Sequence, residues 1–337
     1  MTHPRPAFLA TAFIAAAAVS LAAQDGFKLK SKVELINVTA TVSDDSGRFV
    51  PGLHQSDFTI YEDNEKQDIR FFSAERVPVS LGILLDTSGS MTPDKMDAAK
   101  AAINRFTQEL LEPEDELFLM TFARGSHLLQ DWTTDRRLIS RAMDRINADG
   151  GTAMYDAIAD ALPIASAGKH DKKALLIISD GNDRNSTTSV NELRQAIRES
   201  EALVYALGVD ASGRSFQGPG RQPNPPAIPF PIPMPRGRRP GFPQIILGGP
   251  SGSGIMDEHV NADALRRITD DTGGRTEIVH GFKDLDAATE RIADELSKQY
   301  YLGYSSTRPK DGRWHAIRVE VKDRKQIVRA RRGYVAS

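Results

Sequence analysis

The sequence predicts an α/β domain built on a largely parallel sheet, and three observations carry that reading. Short apolar runs alternate with stretches of helical period through the middle of the chain, the pattern of strands joined by crossover helices. Two of those runs, Val79 to Leu85 and Ala174 to Ile178, are almost wholly apolar, as strands covered on both faces are. Loops rich in Asp, Ser, Thr and Gly sit at or near the carboxyl ends of these strands, where such sheets bind ligands.

The elements follow in order. Val79 to Leu85 reads as a buried strand, after which Met96, Ala99, Ile103, Phe106 and Leu110 share one helix face. Leu117 to Phe122 is a strand, Leu138, Ala142 and Ile146 mark a second helix, and Ala153 to Ala167 is a third. The strand Ala174 to Ile178 precedes a helix with Val190, Leu193 and Ile197 on one face, and Leu203 to Val209 is the next strand. Leu265 to Thr272 is helical, Thr276 to Val279 is a short strand, and Leu285, Ala288, Ile292 and Leu296 mark the closing helix.

The flanks are strand-like. Val33, Leu35, Val38, Ala40 and Val42 lead to the turn Asp44-Asp45-Ser46-Gly47; Phe58 to Tyr61, the turn Glu62 to Glu65, and Ile69 to Phe72 follow. Tyr300 to Tyr304, His315 to Val321 and Gln326 to Ala330, around the turn Asp323-Arg324, have the same character. Neither flank holds enough strands for a core of its own. The two ends are therefore expected to pair into one small β-rich module. The expected organisation is a signal peptide over 1–23, an N-terminal β segment over 26–76, the α/β domain over 77–299, and a C-terminal β segment over 300–337. A Pro- and Gly-rich insertion at 211–254 interrupts the α/β domain. Its composition favours extended or flexible chain, and its position after a strand end makes it a candidate cover for a site there.

Composition narrows the function. With 337 residues the chain is long for a single core, and a formal net charge of −2 gives no reason to expect a nucleic-acid binder. The basic stretch Arg308 to Arg332 carries no nucleic-acid motif and reads as a solvated face. The absence of cysteine excludes disulfides, thiolate metal sites, a cysteine nucleophile and lipid attachment at a cleavage-site Cys. His3 and Arg5, the apolar run Ala7 to Ala18, and Ser20-Leu21-Ala22 resemble an export signal too short to span comfortably. The expectation is an exported bacterial-type protein, periplasmic or extracellular, with an uncleaved N-terminal membrane anchor as the alternative. After signal cleavage no later segment is long and apolar enough to span.

The candidate site comes from three loops: Asp86-Thr87-Ser88-Gly89-Ser90, Gly150-Gly151-Thr152 and Ser179-Asp180-Gly181. Two carboxylates, Asp86 and Asp180, and three hydroxyls, Ser88, Ser90 and Thr152, form an all-oxygen set suited to a hard cation such as Mg²⁺, or to Mn²⁺ or Ca²⁺. The hydroxyls keep the site's negative charge low, which leaves the metal a position for one more oxygen. Gly89, Gly150, Gly151 and Gly181 let the backbone turn tightly enough to bring the donors together. Turn and helix-cap roles explain any one of these loops; they explain five converging oxygen donors poorly. Asp156, one turn beyond Thr152, reads equally as an outer-sphere acceptor or as a first-turn carboxylate favoured by the helix dipole. Asp183 reads as loop solvation.

Asp86-x-Ser88-x-Ser90, with Thr152 and Asp180 on later loops, resembles the metal-ion-dependent adhesion site (MIDAS) of von Willebrand factor A (VWFA) domains. The resemblance covers about Val77 to Gln299, and the segments Phe58 to Phe72 and Tyr300 to Tyr334 are similar to the arms of bacterial VWFA-related proteins. It implies a Rossmann-like, doubly wound fold with the metal held by Ser88, Ser90 and Thr152, and Asp86 and Asp180 acting directly or through water. It also implies protein binding, in which an exposed Asp or Glu of a partner completes the coordination. The Pro-rich insertion departs from the family pattern.

Enzyme readings fare worse. Leu85-Asp86-Thr87-Ser88 resembles the start of an aspartic-protease motif, but a strong helix face follows it and the second Asp lies in the different context Ser-Asp-Gly-Asn. No Gly-x-Ser-x-Gly elbow or phosphate-binding Gly-x-x-x-x-Gly-Lys occurs, and His54, His127, His170, His259, His280 and His315 lack zinc spacing. The expectation is a non-enzymatic binding module. An envelope scaffold whose metal only stabilises the fold is the alternative that the sequence does not separate from it.

Overall fold

The computed structural model describes residues 35–146, 150–209 and 260–336. The expected signal peptide at 1–23 and the insertion at 211–254 lie outside the described residues. Four strands come first: β1 (Leu35–Ser43), β2 (Phe58–Glu62), β3 (Glu65–Gln67) and β4 (Ile69–Ser73). The α/β unit follows as β5 (Val79–Asp86), α1 (Pro93–Arg105), β6 (Glu116–Phe122), β7 (Ser126–Thr133), α2 (Arg136–Met143), α3 (Met154–Ser166) and β8 (Lys172–Ser179). It continues through α4 (Val190–Ser200), β9 (Leu203–Val209), α5 (Ala262–Thr269), β10 (Thr276–Val279) and α6 (Phe282–Ser297). The chain returns through β11 (Tyr300–Ser305), β12 (Trp314–Val321), β13 (Ile327–Ala330) and β14 (Gly333–Val335).

Six strands form the central sheet in the order β10-β9-β8-β5-β6-β7, parallel throughout except for β7, which runs antiparallel to β6. Alternation along β5 sends Val79, Leu81, Ile83 and Leu85 to one face, where Met96, Ala99 and Ile103 of α1, Ile139 of α2 and Ile292 of α6 cover them. Leu84 faces the other way, into a core with Ala157, Ile158 and Ala161 of α3, Leu193 of α4 and Leu265 of α5. Burying one such Leu or Ile side chain contributes roughly 1.5–3 kcal/mol, so helices on both faces follow from a sheet apolar on both. The unit is a Rossmann-like, doubly wound α/β fold.

The flanking strands build two antiparallel four-stranded sheets, β13-β1-β11-β4 and β14-β12-β2-β3. Val38 pairs with Leu302 and Ile60 with Val319, so each sheet joins strands from both ends of the described chain. Between them lies a third core of Ile36, Val38, Ala40, Phe58, Ile60, Tyr300, Leu302, Tyr304 and Ile317. The β2–β3 turn places Asp63 and Asn64 at φ of 47° and 66°, the left-handed pair a two-residue hairpin requires.

Several elements differ from expectation by a residue or two. On β1 it is Ile36 that enters the core, while Leu35 is 45% exposed. On α2, which ends at Met143, Ile139 and Met143 are buried along with the expected Ala142 and Ile146, while Leu138 is half-buried. Helix α5 starts at Ala262, where Asn261 Oδ1 accepts from Ala264 N at 3.1 Å, and stops at Thr269, three residues short of Thr272. The strands β3, β7 and β14 have no counterpart in the sequence reading.

Buried polar groups join the α/β unit to the flanking sheets. Glu295 accepts from Thr41 Oγ1 at 3.2 Å and Tyr205 OH at 3.1 Å, and its other oxygen pairs with Arg275 and Arg329. Lys172, at the amino end of β8, donates to the carbonyl of Leu296. Burial, aided by the nearby Arg76 charge, lowers its ammonium pKa to about 7.

Two predictions follow. A Cβ at Gly82 would lie 2.2 Å from the ring of buried Phe118, so Gly82→Ala should lower stability by about 1–3 kcal/mol, read from the urea midpoint. Because the folded pKa of Lys172 is depressed, the unfolded chain binds the extra proton between about pH 7 and 10.5; its destabilisation is complete below that window and fades as pH rises through it. Lys172→Met should therefore raise stability by more than about 1 kcal/mol near pH 6 and by much less near pH 10, in urea titrations at both.

Candidate functional site

The strand order reverses between β5 and β8, and in open parallel sheets ligands bind outside the carboxyl ends at that switch point. Asp86 is the last residue of β5 and is fully buried. Its Oδ2 accepts from Ser179 Oγ, at the end of β8, at 2.6 Å, and its Oδ1 accepts from Ser88 N at 2.8 Å. Burial pushes its carboxyl up to about 6 against these hydrogen bonds, with the charge of Asp180 adding to the rise.

The hydroxyls of Ser88 and Ser90 stand 3.0 Å apart, the first buried and the second exposed. Lys95, buried on the first turn of α1, donates from Nζ to Ser90 O at 2.8 Å and holds the loop down. Gly89 N donates to Gly150 O at 2.9 Å, which joins this loop to the one carrying Thr152. Thr152 is nearly buried; its carbonyl accepts from Arg184 N and Asn185 N, and its own N–H donates to Asn185 Oδ1 at 3.0 Å. Gly151 is what permits the last bond, since a Cβ there would meet Asn185 Oδ1 at 2.0 Å. Asp180, 1% exposed, accepts from Asn182 N at 3.0 Å, while its carbonyl takes Asn261 N at 2.7 Å. All five residues expected to bind metal thus sit on three mutually hydrogen-bonded loops at one edge of the sheet.

The donor chemistry fits a hard divalent cation. Asp86 and Asp180 form no ion pair with any described Lys, Arg or His, and the Thr152 hydroxyl makes no hydrogen bond among the described residues. No group of three or more His, Asp and Glu is gathered among the described residues. A cation here would rest on two carboxylates and three hydroxyls, a set that Mg²⁺, Mn²⁺ or Ca²⁺ accepts.

Two acidic neighbours have structural work. Asp183, expected to be solvated, instead accepts from Met154 N at 2.8 Å and Ser186 Oγ at 2.7 Å, so it caps α3 and orders the loop after β8. Asp156 accepts from the backbones of Thr187 and Thr188 at 2.9 and 2.8 Å. Burial opposes ionisation there, but the bonds from Thr188 and Thr187 outweigh it and hold the carboxyl below its usual range. Sequence reasoning missed Ser179, Asn185 and Lys95. Each serves a loop residue through a tertiary contact that no local motif announces.

Residues 81–182, within the α/β unit, match the family model of the von Willebrand factor type A domain. Two curated relatives share 26% identity: an uncharacterized protein of Synechocystis sp., over 137 residues, and von Willebrand factor A domain-containing protein 3A of Homo sapiens, over 139. Each match covers 40% of this chain, but only 32% of the first relative and 11% of the second. Among solved structures, the conserved hypothetical protein BatB from Bacteroides thetaiotaomicron aligns with TM-score 0.45 and 20% identity over 65% of this chain and 98% of that one. A von Willebrand factor type A protein from Catenulispora acidiphila aligns with TM-score 0.46 and 14% identity over 91% of this chain and 74% of that one. Proximal thread matrix protein 1 from the mussel byssus, with a zinc-occupied MIDAS motif, aligns with TM-score 0.48 and 12% identity over 71% and 50%. Among the described residues no helix is long and apolar enough to cross a membrane.

Asp183→Ala should cost about 1 kcal/mol by uncapping α3. Gly181→Ala should cost about 1–3 kcal/mol, because φ is +76° and a Cβ would lie 2.8 Å from Asn261 O. Denaturant midpoints of the two variants check both values.

Proposed function

We propose that the protein is an exported, non-enzymatic binding module that holds a divalent cation and uses it to grip an acidic side chain of a protein partner. The observation supporting this most is the convergence of Asp86, Ser88, Ser90, Thr152 and Asp180 on three hydrogen-bonded loops at the switch point. Ser88, Ser90 and Thr152 would hold the ion, with Asp86 and Asp180 contributing directly or through water. When bound, the cation offers an open position to a carboxylate oxygen.

The chain's own part is placement. Ser179 and the Ser88 N–H fix the Asp86 carboxylate, Asn185 and Gly151 fix Thr152, and Asn182 N–H and Asn261 N–H fix Asp180. With only two carboxylates in the set, a bound divalent ion and its donors carry no net negative charge to repel an incoming acid. No bond-breaking step is assigned to these residues. The reading favours Mg²⁺, with Mn²⁺ or Ca²⁺ as substitutes, and a periplasmic or extracellular setting.

The test is calorimetric titration with Mg²⁺ of the wild type and of Asp180→Ala. Saturable one-site binding that weakens at least about tenfold in the variant, with an unchanged circular-dichroism spectrum, is the expected result. A wild type that takes up no Mg²⁺, Mn²⁺ or Ca²⁺ overturns the reading. Partner capture indifferent to chelator would favour the scaffold alternative.

A further inference from the structure

Beside the proposed metal loops lies an open hollow of about 430 Å³, lined among others by Thr87, Arg124, His127, Leu129, Arg145 and Gly150. Thr87 sits between Asp86 and Ser88, and Gly150 accepts the Gly89 N–H, so the hollow and the site share a rim. Its floor is apolar, from Leu129 and Ile146. The described residues that line it include two exposed arginines and an exposed histidine, and no Asp or Glu.

The two guanidinium groups have no acidic partner among the described residues. Neither Arg124 nor His127 forms an ion pair or hydrogen bond among the described residues, and Arg145 makes one bond, from Nε to the Arg141 carbonyl at 3.3 Å. Elsewhere half-buried arginines are answered by acids: Arg194 and Arg198 meet Asp271, and Arg275 and Arg329 meet Glu295. The larger groove of about 1060 Å³ near Glu295 holds arginines and carboxylates together and has no comparable excess. Arg124 is also positioned: its stem lies against Gly150, where a Cβ would stand 3.2 Å from its Cγ and Nε.

We propose that this hollow receives a second carboxylate of the same partner segment whose first carboxylate meets the cation, so that the target is a stretch bearing two or more Asp or Glu rather than one isolated acid. The proposal rests on the metal-dependent reading above. Guanidinium groups at a concave rim attract and orient carboxylates, and the apolar floor suits the methylenes of a glutamate. No Phe, Tyr or Trp is among the described residues that line the hollow, so the large aromatic platforms on which single-stranded nucleic acid stacks are lacking there.

The experiment measures fluorescence anisotropy of a labelled hexaglutamate peptide, and of an equally long Gly/Ser peptide with a single glutamate, in Mg²⁺ or in chelator. The proteins are the wild type, Arg124→Gln/Arg145→Gln and Arg124→Lys/Arg145→Lys. Wild type should bind hexaglutamate at least tenfold more tightly than the single-glutamate peptide, and only in Mg²⁺. The glutamine variant should lose that tenfold preference and much of the salt dependence, the lysine variant should keep part of both, and calorimetric Mg²⁺ affinity should be the same in all three. Glutamine-variant binding equal to wild type, with Mg²⁺ uptake intact, overturns the hollow and leaves the metal reading standing. Absence of Mg²⁺ uptake in the wild type overturns the metal reading and the paired-carboxylate proposal with it. A short oligonucleotide that competes as well as hexaglutamate overturns the assignment to an acidic protein segment.

Discussion

The hydrogen bond from Ser179 to Asp86 spans the two strands between which the sheet reverses its order, and the candidate site depends on it. Parallel pairing of β5 with β8 brings a carboxylate and a hydroxyl from residues 93 apart in sequence to 2.6 Å. That contact sets the floor on which the loops after β5 and β8 rest. Leu81, Ile83 and Leu85 on one side of β5 and Leu84 on the other keep the strand from shifting, since a slip of one residue would exchange its two faces. A buried carboxylate with raised pKa is a costly feature for the fold to carry. It lies at the carboxyl edge of the sheet, away from the packed middle, where open parallel sheets bind ligands.

The contrast between the two ends of the sheet is electrostatic. At the amino end, Glu295 is surrounded by Tyr205, Thr41, Arg275 and Arg329, and Gln299 donates to both Thr41 and Tyr205 at 3.1 and 3.0 Å. Charges there are answered from within the chain, and the network holds the flanking sheets in place. At the carboxyl end, Asp86 and Asp180 form no ion pair among the described residues, and neither do Arg124 and Arg145. Both signs are present at this end of the sheet and are left unmatched among the described residues.

The strands covered on both faces were readable from sequence because a run such as Ala174 to Ile178 has no polar side to misassign. The limits of Thr276 to Val279 coincide with β10 for the related reason that turn residues bound it. Where two apolar residues adjoin, as in Leu35-Ile36 or Leu138-Ile139, periodicity leaves the phase open and packing decides it. β7 escaped because an edge strand has one neighbour, and its sequence Ser-His-Leu-Leu-Gln-Asp-Trp-Thr follows neither alternation nor an unbroken apolar run. At the site, Asp86, Ser88 and Ser90 were readable as a local spacing, whereas Thr152 and Asp180 gained meaning only alongside them. Asp183 was misread because its task, capping α3, lies some thirty residues back along the chain.

The flanking sheets are assembled from both ends of the described chain, and Thr41 meets Glu295 across 254 residues. In an unfolded chain, drawing β1 to β11 means closing a very long loop, and that entropy is lost before any pairing compensates it. The α/β unit removes most of the cost once formed, because Val79 pairs with Lys172 and Lys172 reaches the carbonyl of Leu296, so the unit's entry and exit lie side by side. The sandwich is then closed by two short tethers. Its cohesion is conditional: loosening the α/β unit restores the long loop, and the two parts are set to lose their structure as one cooperative body.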